Sequence, residues 1–251
     1  MNITPEIYAE QKTPRFGSAN PERMTMAFWE FMVPNREAAW NARMLFNDTQ
    51  RTPDPVWCFH RFGTSITEMP DGRLICVGGE HEDFYDPDFY IYNDVIALLP
   101  SGQIEIYGYP EAVFGPTDFH TATLWGDHIY LIGTIGYSGE RDSGATPVYR
   151  LDTNPYAIER LTTTGDHPGW ISRHEAQLDP ESAIITIRGG KLHGDRDGKP
   201  TYDDNDRVHQ LDLRTLRWSL SSDRYQAVES YWPTTDEIDL LTDWFTRTQP
   251  R

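Results

Sequence analysis

Nine consecutive residues carry an unusual density of potential ligands. Glu80-His81-Glu82-Asp83-Phe84-Tyr85-Asp86-Pro87-Asp88 places five carboxylates and one imidazole together, enough oxygen and nitrogen donors for a divalent cation. With Glu80, His81, Glu82 and Asp86 as ligands or as acid and base, joined by His120, this would be metal-assisted chemistry. The string has no glycine at a fixed turn and no regular donor spacing, so a solvated acidic loop is the competing reading. Asp195-Arg196-Asp197-Gly198 opens like a calcium loop, but Pro200 and Asp206 stand where that loop needs Gly and Glu. No cofactor is expected, and a divalent cation at the acidic string is the one candidate. Other signatures are missing. His174-Glu175 has no second histidine four residues after the first, and Gly133-Thr134-Ile135-Gly136-Tyr137-Ser138-Gly139 has the wrong spacing for a dinucleotide loop. There is no phosphate loop ending Gly-Lys-Ser/Thr and no Gly-x-Ser-x-Gly elbow.

The elements that must position these groups repeat along the chain. Residues 65–79, 120–134 and 174–190 share a short strand, a polar turn and an apolar strand that ends on Gly78, Gly133 or Gly189. A second half follows each glycine: a long loop, a strand (93–98, 147–152, 207–212) and a last strand (103–107, 157–161, 216–220). The spacing of about 55 residues defines a supersecondary unit of four strands. His120 and His174 begin the innermost strand of the second and third repeats, and Ser65 takes that place in the first. A side chain repeated by the architecture more often hydrogen-bonds the scaffold than carries out a catalytic step.

Val77-Gly78-Gly79, Arg207-Val208-His209-Gln210-Leu211-Asp212-Leu213 and Thr215-Leu216-Arg217-Trp218 resemble the double glycine, the strand ending on Leu-Asp and the outer strand of the kelch family. Tyr107-Gly108-Tyr109-Pro110-Glu111, Pro116-Thr117-Asp118-Phe119-His120 and Pro168-Gly169-Trp170-Ile171 are similar to a bacterial kelch subgroup of unassigned activity. The resemblance covers about two thirds of the chain. It implies a mainly β fold of three four-stranded kelch-type propeller blades, at about 57–110, 111–165 and 166–220. It also implies that loops 80–91, 135–146 and 191–205, with 107–118 and 162–172, emerge on one face, where function usually resides. That face would carry Glu80, His81, Glu82, Tyr109, Asp118, His120, Tyr137, Arg141, Trp170, Arg173 and His174. His60 and Arg61, just before the first inner strand, join them as ligand candidates, and His167 and His193 add further imidazoles.

Short helical flanks are expected on both sides of the blades. Residues 1–56 form a helical segment and linker: Met24, Phe28, Phe31 and Met32 fall at helical spacing, Pro34-Asn35 breaks the run, and a second helix surrounds Ala38 to Phe46. Residues 221–251 form a tail packed on the blades, with a capping box of Thr234 and Glu237 ahead of Ile238, Leu241 and Phe245. Propellers close with four to eight blades, so three repeats raise the question of closure. A homodimeric six-blade ring answers it; an open sector covered by the flanks is the alternative.

Composition bounds the partners. Thirty-nine acidic against 22 basic residues give a formal charge of −17, which repels nucleic acid and anionic membranes. The start lacks a signal-peptide pattern and no long apolar run occurs, so the chain reads as a soluble cytoplasmic protein. Two cysteines, Cys58 and Cys76, exclude a disulfide framework. The expected function is a non-enzymatic binding module that takes a protein partner or small ligand on the loop face. The acidic-loop metalloenzyme and a structural subunit of a dimeric ring are the alternatives.

Overall fold

Short apolar strings separated by glycine-containing turns should form antiparallel meanders, because each turn returns the chain beside the strand it left. The computed structural model describes residues 2–49, 54–81, 88–196, 199–225 and 235–248. The protein is mainly β and divides into two compact units, residues 1–115 with 233–251, and residues 116–232.

The first unit contains α1 (Pro5–Gln11), β1 (Glu22–Arg23), α2 (Ala27–Asn35), α3 (Ala39–Leu45), β2 (Ser65–Glu68), β3 (Leu74–Val77), β4 (Glu80–His81), β5 (Tyr90–Ile91), β6 (Val95–Leu98) and β7 (Ile104–Gly108). Its main sheet has the order β1-β7-β6-β3-β2, a four-strand meander with β1 added at the outer edge. Every residue of β3 and β6 is buried, which explains why both read as continuous apolar runs rather than alternating ones. Two flanking elements depart from expectation. An additional helix, α1, starts at Pro5 with Thr4 as its cap, and residues 22–23 pair with β7 instead of extending α2. The break at Pro34-Asn35 holds: α2 ends there, and Arg36 follows in the left-handed region.

The C-terminal helix α4 (Thr235–Thr248) belongs to this unit and packs on β2. Trp244 and Phe245 are buried, and the Trp244 Nε1 donates to the Leu99 carbonyl at 2.9 Å. Ile238, expected on the apolar face, is instead 52% exposed. The expected cap Thr234 lies outside the described residues.

A buried charge organises the first unit. Arg61 has a side chain only 2% exposed and meets Asp94 in a two-pronged pair at 2.5 and 2.9 Å. Its remaining donors go to the Cys58 and Gly78 carbonyls, and its guanidinium lies 3.3 Å from the centre of the Tyr92 ring. Trp57 donates to the same Asp94 at 2.8 Å and stacks on Trp29 at 5.0 Å, so the pair also anchors α2. Cys58 and Cys76 are buried and unbridged, and burial pushes the Cys76 thiol up to about 12.

The second unit contains β8 (Thr121–Trp125), β9 (His128–Ile132), β10 (Val148–Asp152), β11 (Ile158–Arg160), β12 (Thr164–Gly165), β13 (Ile171–Ser172), β14 (Glu175–Asp179), β15 (Ile184–Arg188), β16 (Lys191–Arg196), β17 (Lys199–Asp204), β18 (Arg207–Asp212) and β19 (Arg217–Arg224). Two more four-strand meanders result, β11-β10-β9-β8 and β19-β18-β15-β14, the latter with β12 parallel at its outer edge. Ile132, Val148, Ile171, Ile185, Ile187, Leu211 and Trp218 lie in one buried cluster. Within 191–205, expected as a loop, β16 and β17 pair antiparallel and extend a small sheet begun by β13. Pro200 lies within β17. It is tolerated because β17 is an edge strand, where a missing N–H leaves no ladder partner unsatisfied.

The registers align the three repeats residue by residue. Ser65, Thr121 and Glu175 pair with Val77, Ile132 and Arg188, each of which immediately precedes the repeat glycine. The counterpart of His120 and His174 is therefore Thr64, and the expected equivalence with Ser65 is off by one residue.

Removing one partner of a buried ion pair strands the other charge, at a cost of about 3 to 5 kcal/mol. Arg61→Ala should therefore lower unfolding free energy by that order in urea titrations monitored by Trp fluorescence. A loss below about 1 kcal/mol, the range of exposed pairs, would show that the pair does not organise the first unit.

Candidate functional site

The residue before each repeat position is held in the left-handed region: Gly63 at φ +64°, Phe119 at +47° and Arg173 at +56°. The first repeat uses glycine there, whereas the other two impose a conformation that costs an L-residue roughly 1 to 2 kcal/mol. Arg173 N donates to the Phe119 carbonyl at 2.9 Å, and the guanidinium carbon lies 3.7 Å from the centre of the Phe119 ring. The two strained residues thus hold each other. Both are partly exposed, and their inner strands β8 and β14 are neighbours.

This proximity depends on Gly133. Thr134 N donates to the Ile171 carbonyl at 2.9 Å, and Gly133 adopts φ +77°. A Cβ on Gly133 would stand 2.2 Å from that carbonyl oxygen and 2.9 Å from Cε1 of His174.

Around this crossing lie buried polar groups with unfilled capacity. Asp118 is fully buried; its Oδ1 accepts from Thr134 Oγ1 at 2.8 Å, Ile135 N at 3.0 Å and Gly136 N at 2.8 Å. Its Oδ2 has no partner among the described residues. His174 contacts Thr121 Oγ1 through Nε2 at 2.9 Å, and His193 contacts Ser172 Oγ through Nε2 at 2.7 Å. In both rings Nδ1 is buried and makes no hydrogen bond among the described residues. His193 is further held by its own N–H on the Trp170 carbonyl at 2.8 Å and by an edge-on contact with Tyr202. The 135–141 loop closes over the same region, with Arg141 Nε and Trp170 Nε1 both donating to the Ile135 carbonyl.

Burial keeps these imidazoles neutral. His120 is lowered to about 4 by desolvation. His174 falls to about 3 through desolvation and the nearby His120, and His193 to about 4 through desolvation and the cationic Arg141 and Arg173.

Of the expected site residues, Asp118, His120, Tyr137, Arg141, Trp170, Arg173 and His174 belong to the second unit and its loops. The rest belong to the first, and most are committed to its framework. Arg61 is sealed in its ion pair, and Tyr109 is fully buried against Phe114. His81 uses Nδ1 on the Tyr92 hydroxyl at 2.6 Å and Nε2 on the Asp88 carbonyl at 3.0 Å, so neither nitrogen is open to a metal. Glu80 pairs through its backbone with Phe62, and His60 is exposed. Glu82 and the rest of 82–87 lie outside the described residues. Among the described residues, no three His, Cys, Asp or Glu side chains gather as a metal-binding group.

Phe119, Ser172, Thr134 and Tyr202 were missed as site residues, and His193 was noted only as a loop imidazole. Aligning Asp118-Phe119-His120 with Ser172-Arg173-His174 would have exposed the first two. The Ser172–His193 contact has the hydroxyl–imidazole geometry of an activated nucleophile. However, Ser172 is fully buried, and no carboxylate orients His193 among the described residues. Compared with known proteins, the chain matches no family model and no curated protein.

A buried histidine with a depressed folded pKa binds fewer protons than it does unfolded, so stability is fully present above the unfolded value and lost as pH falls. The window runs from the ordinary 6.5 down to about 4 for His120 and His193 and about 3 for His174. Each ring contributes a slope of up to about 1.4 kcal/mol per pH unit inside it. Urea unfolding at pH 7, 6 and 5 should show this decline, and His174→Gln should be shallower by about one ring's slope. An unchanged slope would mean that His174 is already charged in the folded protein.

Proposed function

We propose that this protein is a non-enzymatic binding module: three kelch-like blades carry a recognition face, whose centre is the paired Phe119-His120 and Arg173-His174 of the second unit. The observation that carries this reading is the stacked, left-handed Phe119 and Arg173, followed in each case by a buried neutral histidine. Strain of this kind clusters at ligand clamps and persists only where surrounding structure over-determines it. Asp118 Oδ2 and Nδ1 of His174 and His193 are buried nearby and make no hydrogen bond among the described residues. Arg141, Trp170 and Tyr137 supply the cationic and aromatic surroundings typical of binding hot spots. The meander order of the sheets supports the kelch reading, because each repeat runs from inner strand to outer strand as a blade does.

A residue retained for binding is dispensable for folding. Arg173→Gly relieves left-handed strain and loses one cation–π contact, so its unfolding free energy should stay within about 1 kcal/mol of the parent. The same variant should lose the melting-temperature increases that members of a chemically diverse small-molecule library produce in the parent protein. A loss of several kcal/mol in the variant would make Arg173 a framework residue like Arg61 and overturn the reading. A library that stabilises both proteins equally, or neither, would do the same.

A further inference from the structure

We infer that the first unit holds a separate binding site, a cavity that takes a small organic ammonium ion carrying an apolar group. The cavity has a volume of about 510 Å³, within the range of about 300 to 1,000 Å³ common for small-molecule sites. It lies between α2, Arg23 of β1 and residues 102–104 at the turn into β7. Glu30, Phe31, Pro34 and Asn35 line it from α2, because residues at i, i+1, i+4 and i+5 share one side of a helix. All of the lining belongs to the first unit, so the site does not depend on the face formed by Phe119 and Arg173.

Charge sets the sign of the ligand. Arg23, the cation of the lining, is already answered within the fold: Nη1 lies 3.1 Å from Glu105 Oε1, Nη2 donates to the Ile104 carbonyl at 3.1 Å, and the guanidinium stands 5.3 Å from the centre of the Tyr107 ring. Glu30 is partly buried and makes no side-chain hydrogen bond or ion pair among the described residues. The lining therefore keeps one uncompensated carboxylate. It also includes Pro34 and Asn35, which end a helix whose last turn holds no basic side chain, and the negative end of a helix dipole favours a cation. The guanidinium of Arg36, the next residue, lies over the Phe245 ring at 4.9 Å.

The hydrogen-bonding groups match that sign. Asn35 Nδ2 donates to the Phe31 carbonyl at 2.6 Å, and Gln103 Nε2 donates to Glu105 Oε1 at 3.0 Å. An amide can bond an oxygen acceptor only through its nitrogen, so each of these side chains keeps its own oxygen for another donor. Pro34 has no N–H to give the Glu30 carbonyl, which loses its ordinary helical partner. The cavity thus offers acceptors from Glu30, Asn35 and Gln103, and an ammonium group brings three donors. Phe31 and Ile104 are partly exposed yet packed against the buried core, and Phe31 is held edge-on to Phe46 at 6.3 Å. With Pro34 they form an apolar wall for the body of the ligand, and the Phe31 ring is an added partner for its charge.

The test is calorimetric titration of the full chain with phenethylammonium, its neutral analogue phenethyl alcohol, the anion hydrocinnamate and plain ammonium. Phenethylammonium should bind at one site, with each of the other three weaker by about tenfold or more. Glu30→Gln keeps the size of the side chain and removes its charge, so it should weaken phenethylammonium by about tenfold with an unchanged circular dichroism spectrum. Glu37→Gln, at an exposed carboxylate outside the lining, should leave the affinity as it is. Absence of saturable binding, any of the other probes bound as tightly as phenethylammonium, or a Glu30→Gln variant that binds like the parent would each overturn the inference. So would an equal loss in both glutamate variants, which would show general attraction to a chain of net charge −17. Arg173→Gly should bind phenethylammonium unchanged, so this site and the recognition face stand or fall separately; a loss in that variant would put the amine on the second unit and overturn the assignment to the cavity.

Discussion

The backbone crossing at Gly133 is the constraint on which the second unit depends. Thr134 N reaches the Ile171 carbonyl only because residue 133 has no side chain. Gly190 repeats the device, since a Cβ there would lie 2.4 Å from the Ser172 carbonyl oxygen. These two close approaches fix residues 170–174 from both sides. Asp118 then completes the loop by collecting the N–H groups of Ile135 and Gly136. This arrangement positions the histidines and the strained pair.

Arg61 and Arg173 show how one residue type serves opposite ends in the two units. Arg61 is enclosed, paired with a buried carboxylate and stacked on aromatic rings, so its charge is neutralised within the fold. Arg173 is partly exposed and lies over the Phe119 ring, and its field reaches His193. Both positions were read from sequence as ligand candidates, Arg61 for its place just before the first inner strand and Arg173 as a cation of the loop face. What separates them is Asp94, which lies 33 residues further on, just before β6, and could not be paired with Arg61 from spacing alone.

The strands of the three repeats were legible because hydrophobic runs and turn glycines are local signals. Leu74-Ile75-Cys76-Val77 and Val95-Ile96-Ala97-Leu98 could hardly be anything but buried strands once a glycine turn separated them. Helix α1 was not legible, since Pro5 to Gln11 has one buried residue, Tyr8, and no apolar stripe. The register between repeats was one residue out, because Ser65 resembles a polar counterpart of histidine more obviously than Thr64 does. The candidate site was legible in part. Arg173 and His174 stood out by type, but the left-handed backbone at Phe119 carries no sequence mark, unlike the glycine at position 63.

The imbalance between the repeats is informative in itself. The first meets the left-handed position with Gly63 at little steric cost, so the architecture does not require a side chain there. The second and third each accept roughly 1 to 2 kcal/mol of strain. Leaving a buried polar atom unpaired costs about 1 to 3 kcal/mol more, and among the described residues Asp118, His174 and His193 each carry one. Native domains keep only about 5 to 15 kcal/mol of stability, and glycine at 119 and 173 would remove the strain without disturbing the meander. On the proposed reading the strain at Phe119 and Arg173 is held for a ligand, since Gly63 shows that the architecture does not need a side chain at that position.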